Sequence, residues 1–336
     1  MPATNRRLDH IDALRGLAAL AVCWFHLTRG GKLLPEGWVA SLSAYGFLGV
    51  EVFFVISGFV IPWAMWRADY RISDFWHFLG KRMVRLYPPY LLALLLIVFL
   101  NYASSRLPVF HGSFHPLTAF KELLTESIYL NGILDRSWSI MVVAWTLAIE
   151  IQFYLLAGIL AAWLRFDRGP MTLIGLLLLV SSAYWARSNH YIFAYLPFFV
   201  LGWSGAWIHA GGIKKMYPWM LSAWSLVLMI MTQSLAATIV AMMTFLVIVF
   251  WNYPVPGVLI WLGSISYSLY LLHVPIGGKV MNLAERYGTH SWVMPLALAV
   301  ALSICLISAW CYWRWIELPF HQLSRSLFRK LKQKTV

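Results

Sequence analysis

Two basic residues near the start of the chain carry the first chemical signal. Arg15 and His26 stand on one apolar run, with ten residues between them. On a helix that separation is about three turns, so both return to nearly the same face, about 16 Å apart along the axis. Such a pair can line one cavity; each alone reads more plainly as a snorkelling arginine or an interfacial histidine. Glu51 opens the next apolar run, in Gly49-Val50-Glu51-Val52-Phe53. The two runs are consecutive, so His26 and Glu51 can lie at similar depth. A carboxylate beside an imidazole orients the ring, fixes its tautomer and stabilises imidazolium, which a general base in acyl transfer to a hydroxyl requires. Ser57 and Gly58, further along this run, read as a helix-packing surface.

Other polar interruptions follow. Glu150 sits in Trp145-Thr146-Leu147-Ala148-Ile149-Glu150-Ile151-Gln152-Phe153-Tyr154, as a hydrogen-bonded brace or as an active-site contact. Tyr270 and His273 are neighbours on one helical face, able to bind an acceptor or to anchor at an interface. In Lys81-Arg82-Met83-Val84-Arg85 the two arginines share a face, and their guanidinium forks suit phosphate; a lipid headgroup offers the same chemistry. The three cysteines, Cys23, Cys305 and Cys311, have no metal-like spacing, so neither a disulfide framework nor a metal site is expected. No Walker sequence occurs, since Gly30-Gly31-Lys32 lacks the upstream glycine and the Ser/Thr. No Gly-x-Ser-x-Gly elbow occurs, and His26 has no Asp in the His-x4-Asp pattern of glycerolipid acyltransferases.

The elements that position these residues follow from composition. Of 336 residues, 61% are hydrophobic and 12% charged, and mean hydropathy is +0.70. Soluble domains are about 45–50% apolar and about 25% charged, so a soluble enzyme and a disordered chain are excluded. An ionisable residue at membrane depth costs several kcal/mol and is a functional candidate by default. The expected fold is therefore all-α and polytopic. About ten transmembrane helices are expected, near 11–28, 45–66, 86–104, 143–164, 171–187, 192–209, 217–232, 235–251, 257–276 and 292–315. Asp12 and Arg15 interrupt the first run and no cleavage site follows, so it reads as a retained span rather than a signal peptide. Residues 73–85 are too charged to span and read as an amphipathic surface helix.

The net charge of +13 would suggest nucleic acid in a soluble protein; here it sets orientation. With both termini cytoplasmic, sixteen Lys and Arg fall on inner segments and eight on outer ones, which supports that topology and no nucleic-acid partner. The inner count includes Arg6, Arg7 and Lys214, the outer count Arg136 and Arg187. The longest outer loop, 105–142, holds Pro108, His111, His115, Pro116 and Trp138 and has room for a re-entrant or capping element. Intramembrane His, Arg and Glu also suit a proton-coupled transporter or channel, the alternative class, although no inverted repeat is visible.

These residues resemble the membrane acyltransferase-3 family. The likeness is carried by Leu8 to Leu20 with the Arg-x10-His pair ending at His26, Gly49 to Phe59 with Glu51 at an acidic position, the Arg-x-x-Arg of Arg82 and Arg85, Trp145 to Tyr154, and Tyr267 to His273. The resemblance implies one transmembrane acyltransferase domain over 1–336, without an appended soluble hydrolase-like domain. It implies a bacterial inner-membrane enzyme that moves an acyl group, usually acetyl, from cytoplasmic acyl-CoA to a hydroxyl of a carbohydrate or glycolipid. It assigns His26 as the catalytic histidine, Arg15 as its partner, and Arg82 and Arg85 as CoA contacts. Acyl-CoA would be a co-substrate, with no cofactor held permanently; membrane lipid, and a second copy in a homo-oligomer, are the other partners considered. General-base catalysis by His26 and a covalent acyl-histidine relay both fit these residues.

Overall fold

The computed structural model describes residues 8–106, 115–134, 137–186, 188–212, 215–287 and 293–334. Arg6, Arg7, Pro108, His111, Arg136, Arg187 and Lys214, which enter the charge and loop readings, lie outside the described residues. Among the described residues the regular structure is helical, and no strand occurs. The helices are α1 Asp9–Leu27, α2 Trp38–Ser43, α3 Gly49–Arg67, α4 Phe75–Ser105, α5 Pro116–Ser127, α6 Leu130–Ile133, α7 Ala144–Leu160 and α8 Gly169–Ser181. They continue with α9 Leu196–Trp207, α10 Met216–Thr232, α11 Leu235–Phe250, α12 Gly257–Ser264, α13 Ser266–Leu272, α14 Gly278–Tyr287, α15 Val293–Tyr312 and α16 Leu318–Lys334.

Among the described residues each of the ten apolar runs overlaps helix, but fewer than ten are long and apolar enough to count as crossings. Four stretches are long and apolar enough to cross a bilayer: Trp38–Arg67, Ile72–Ser105, Ile192–Gly211 and Val293–Leu327. A fifth is the pair Gly257–Ser264 and Ser266–Arg286, bent by 53° at its break. The helices α7 and α10, of 17 residues, and α11, of 16, are apolar but stand at the lower limit for a crossing. Large apolar side chains face outward, with Phe99, Leu178, Ile230 and Ile307 all about three-fifths exposed or more. A soluble monomer does not carry a belt of that kind; this is an all-α membrane protein.

Small residues let the helices approach closely, as lipid-embedded packing favours. Gly49 of α3 lies on the backbone of Ala18 in α1, and Gly58 of α3 lies on the backbone of Phe199 in α9. A Cβ at Gly58 would collide with the Phe199 carbonyl oxygen. Gly58→Ala is therefore expected to push α3 and α9 apart and destabilise the protein by about 1–3 kcal/mol, the usual range for overpacking. A thermal melt in detergent checks this, and an unchanged midpoint would refute the close-packing account.

The charged segment 73–85 is not a separate surface helix. It forms the first turns of α4, which continues through Pro88 and Pro89 to Ser105. The physical reason lies in where its side chains go. Phe75 and Phe78 pack against Gly158 of α7, while Arg82 and Arg85 turn into a cavity between helices, so their charges do not demand a surface position. On the same side of the bundle Arg165 joins Asp69 at 2.9 Å and Asp167 at 3.2 Å. That holds the exposed Asp167 carboxyl below the usual carboxylate range and ties two loops, at little gain in stability.

Among its described residues the long 105–142 connection carries α5 and α6. Its anchor is Glu126, fully buried, whose Oε1 accepts from the backbone N–H of Ser139 at 2.7 Å and of Ile140 at 2.8 Å. Its Oε2 accepts from the Met141 N–H at 3.0 Å, and Tyr90 of α4 donates to the Glu126 carbonyl at 2.7 Å. These bonds fix the approach to α7, the helix that carries Glu150.

Candidate active site

One cavity, of about 110 Å³, gathers residues from five helices. Arg15 reaches it from α1, Ser57 from α3, Arg82 and Arg85 from α4, Glu150 and Tyr154 from α7, and Tyr267 and Tyr270 from α13. Five of the eight sequence candidates thus line a single space: Arg15, Arg82, Arg85, Glu150 and Tyr270. The bend between α12 and α13 is what brings the tyrosines in, since it turns Ser266, Tyr267 and Tyr270 toward α4 and α7. Tyr267 donates to the Leu86 carbonyl at 2.8 Å, tying α13 to the turn of α4 that follows Arg85.

The cavity is rich in positive charge. Arg85 lies within electrostatic range of Arg15, Arg82 and Glu317, and its Nε is buried with no hydrogen-bond partner. The Arg82 guanidinium sits over the Tyr154 ring at 5.6 Å and the Phe78 ring at 5.9 Å, the weakly hydrated stacking that arginine favours. The nearby carboxylates are engaged elsewhere. Glu150 Oε1 accepts from Ser57 Oγ at 2.9 Å and from Tyr154 OH at 2.5 Å. Glu317 Oε2 accepts from Ser268 Oγ at 2.7 Å. Among the described residues no ion pair joins either carboxylate to these arginines. Glu150 is therefore both a brace and a cavity wall.

His26, Glu51 and His273 do not line this cavity, yet the histidines stand just beyond its end. The Tyr270 ring lies 5.9 Å from the His273 ring, which lies 5.2 Å from the His26 ring. Tyr270 is fixed by a 2.7 Å hydrogen bond between its hydroxyl and Thr146 Oγ1. A wide π-type turn over His273–Gly277 follows α13, a device common at functional sites. It leaves His273 fully buried, which removes the interfacial-anchor reading. His273 Nδ1 lies 3.0 Å from the Leu269 carbonyl. A carbonyl only accepts, so Nδ1 carries the proton and Nε2 is the basic atom. That Nε2 is buried with no hydrogen-bond partner.

The expected His26–Glu51 contact is not formed: among the described residues no hydrogen bond or ion pair joins them, and the titratable ring beside His26 is His273. The reason is rotational. Gly49 of α3 faces α1, and Glu51, two residues on, is turned about 200° away from it. Glu51 lies instead within electrostatic range of Tyr195 and Tyr270, with its Oε2 buried and unpartnered. Similar geometry splits Ser57 from Gly58. Gly58 packs on α9 as expected, whereas Ser57, one position round, turns to Glu150.

Several site residues are missed by sequence reasoning. Tyr154 is four residues past Glu150, the spacing of helical neighbours, so its bond to Glu150 was readable in principle. Ser57 and Tyr267 lie inside motifs already singled out. Glu317 falls after the last apolar run, on the π-type turn Trp313–Glu317, and only tertiary packing brings it to Arg85.

The acyltransferase-3 family model, described as an acyltransferase domain, matches residues 8–314. Acyltransferase MdmB of Streptomyces mycarofaciens is 29% identical over 46% of this chain and 39% of its own length. A Staphylococcus aureus (strain COL) protein named as an O-acetyltransferase is 22% identical over 94% of this chain and 58% of its own. Nodulation protein 10 of Rhizobium leguminosarum bv. viciae is 29% identical over 63% of this chain and 60% of its own. The chain thus spans about two-fifths to three-fifths of the length of these relatives. No solved structure matches it. The five sequence blocks all fall within the matched region, and the chain belongs to the acyltransferase-3 family of membrane proteins.

Proposed function

We propose that this protein is a membrane O-acyltransferase that takes an acyl group, acetyl in the simplest case, from acyl-CoA and passes it to a hydroxyl of a carbohydrate or glycolipid. The observation that carries this reading is the convergence of Arg15, Arg82 and Arg85 on one cavity whose far end leads through Tyr270 to two histidines. Clustered like charges in a low dielectric are unfavourable unless an anion joins them, and the phosphates of CoA are such an anion. The narrow cavity suits a slender arm carrying a thioester. The arginine end faces the cytoplasm in this reading, with both termini on that side of a bacterial inner membrane.

The chemistry is assigned to His26. In the general-base form its ring takes the acceptor hydroxyl proton, and the alkoxide oxygen attacks the thioester carbonyl. The tetrahedral intermediate collapses with loss of the CoA thiolate, which takes the proton back. In the relay form the His26 nitrogen attacks the thioester carbonyl first, the C–S bond breaks, and CoA leaves as the thiol with the ring's proton. The hydroxyl then attacks the acyl-imidazole, the N–acyl bond breaks, and the hydroxyl proton returns to the imidazole. His273, with Nε2 as its basic atom and its ring beside that of His26, positions and supports it in either form.

The test uses purified protein in nanodiscs and radiolabelled acetyl-CoA. Saturable binding of CoA, with transfer of label to envelope glycan or glycolipid from the host, is expected. A protein that binds no CoA and transfers no label, but moves protons across a liposome membrane, would replace this reading with the transporter class.

A further inference from the structure

A second cavity lies along the neighbouring face of the helix that carries Glu150. Its volume is about 340 Å³, within the range of small-molecule sites, about 300–1,000 Å³. Two tryptophans and a tyrosine line it, Trp138, Trp145 and Tyr195, with Ser137, Asn189 and His190 as its polar groups. Here α7 serves both spaces. Trp145 and Ile149, four apart and on one face, line this pocket, whereas Thr146, Glu150 and Tyr154 line the arginine cavity. Phe54 is the partition: it lines the arginine cavity, and its ring packs on Trp145 at 6.5 Å and Tyr195 at 5.1 Å. Glu51, one turn earlier on α3, lies within range of a tyrosine from each space, Tyr195 and Tyr270.

Two features point to a ligand rather than to a packing defect. The Trp138 Nε1 is buried with no hydrogen-bond partner, and an orphaned buried donor asks for an acceptor. The walls also combine aromatic faces with amide, imidazole and hydroxyl groups. A pyranose matches both kinds of wall. Its C–H face lies on an aromatic ring, and its hydroxyls, each donor and acceptor, pair with side chains such as Asn, His and Ser. The loop is held for this purpose: Asn131 donates to the Ser137 carbonyl at 2.9 Å, and the Glu126 bonds fix the residues just after Trp138.

We infer that this aromatic pocket is the acceptor subsite, holding one pyranose ring of a glycan or glycolipid on Trp138, Trp145 and Tyr195, across the Phe54 partition from the donor cavity. The inference rests on the acyltransferase reading and names the place where its acceptor binds. Donor and acceptor then lie along neighbouring faces of α7, and Tyr270, in range of Glu51 and 5.9 Å from the His273 ring, leads from the Phe54 partition to the histidines.

The experiment uses inner-membrane vesicles from the protein's own host, carrying the wild type or one of three variants in a strain deleted for the gene. Trp138→Phe keeps a ring and removes the N–H; Asn189→Ala and Trp145→Ala remove a polar wall and a platform. Each vesicle set receives labelled acetyl-CoA, and CoA affinity is measured separately on purified protein. Transfer to endogenous acceptor is expected to fall about fivefold in Trp138→Phe, one hydrogen bond's worth, and about tenfold or more in Trp145→Ala. CoA affinity is expected to stay within about twofold. The labelled product is expected to release O-acetylated sugar, in the organic phase for a glycolipid or the aqueous phase for a glycan. Wild-type transfer that persists unchanged in all three variants overturns the pocket assignment alone, as does label found on a molecule with no sugar. Wild-type vesicles that incorporate no label overturn the acyltransferase reading, and the pocket with it.

Discussion

Alanine in place of His26 is expected to lower acyl transfer by about a thousandfold or more, within the range that a positioned acid–base group contributes, while CoA binding stays within about twofold of wild type. The split follows from the geometry. The arginines that would hold the donor line a cavity that His26 does not touch, so its loss should leave donor affinity alone. His273→Ala should cost less, about ten- to a hundredfold. It removes the ring beside His26 but no group that reacts, and Tyr270 keeps its anchor on Thr146. The general-base and relay forms then separate in one measurement. Labelled acetyl-CoA is mixed with purified protein in a single turnover without acceptor. Label that stays on the protein, and is absent from the His26→Ala variant, supports the relay; none on the wild type supports the general base. Near-normal acetylation of envelope glycan by the alanine variant would sink the assignment of His26 in both forms.

The fold and half of the site are legible in the sequence for different reasons. Composition alone requires helices, because apolar runs in lipid must satisfy their own backbone hydrogen bonds. The arginines were legible because charge at membrane depth is costly and therefore informative: Arg15, Arg82 and Arg85, on α1 and α4, reach one cavity. What the sequence does not carry is rotation about a helix axis in its tertiary setting. Depth suggested that Glu51 meets His26, but the Gly49 contact with Ala18 sets α3 so that Glu51 faces the other way. The same limit hid the pairing of His273 with His26. Its nearness to His26 depends on the break at the start of α13 and the π-type turn at its end, features that local propensity does not announce. The 73–85 segment shows the converse: its charges argued for a surface, and only the presence of an internal cavity allows the chain to bury Arg85 instead.

The Arg82 and Arg85 pair makes the second large prediction, and it discriminates a phosphate site from simple interfacial anchoring. Both guanidinium groups line the arginine cavity, and Arg85 has an Nε that no group among the described residues satisfies. A charge-assisted bond to phosphate contributes about 1.5–3 kcal/mol, so Arg85→Gln is expected to raise the KM for acetyl-CoA about ten- to a hundredfold. Arg82→Gln should do less, because part of Arg82 is occupied by the Tyr154 and Phe78 rings. The stronger test compares two donors. Acetyl-CoA carries the phosphates; acetyl-pantetheine carries the same thioester on the same arm without them. In the wild type acetyl-CoA should be the better donor by a wide margin. In the Arg82→Gln, Arg85→Gln double variant the margin should collapse, because the group that earned it has lost its partners, while turnover of saturating acetyl-pantetheine is little changed. If the arginines only hold lipid headgroups, both donors should weaken together and their ratio should stay at the wild-type value. A preserved ratio would therefore remove CoA phosphate from this cavity, whatever happens to the overall rate.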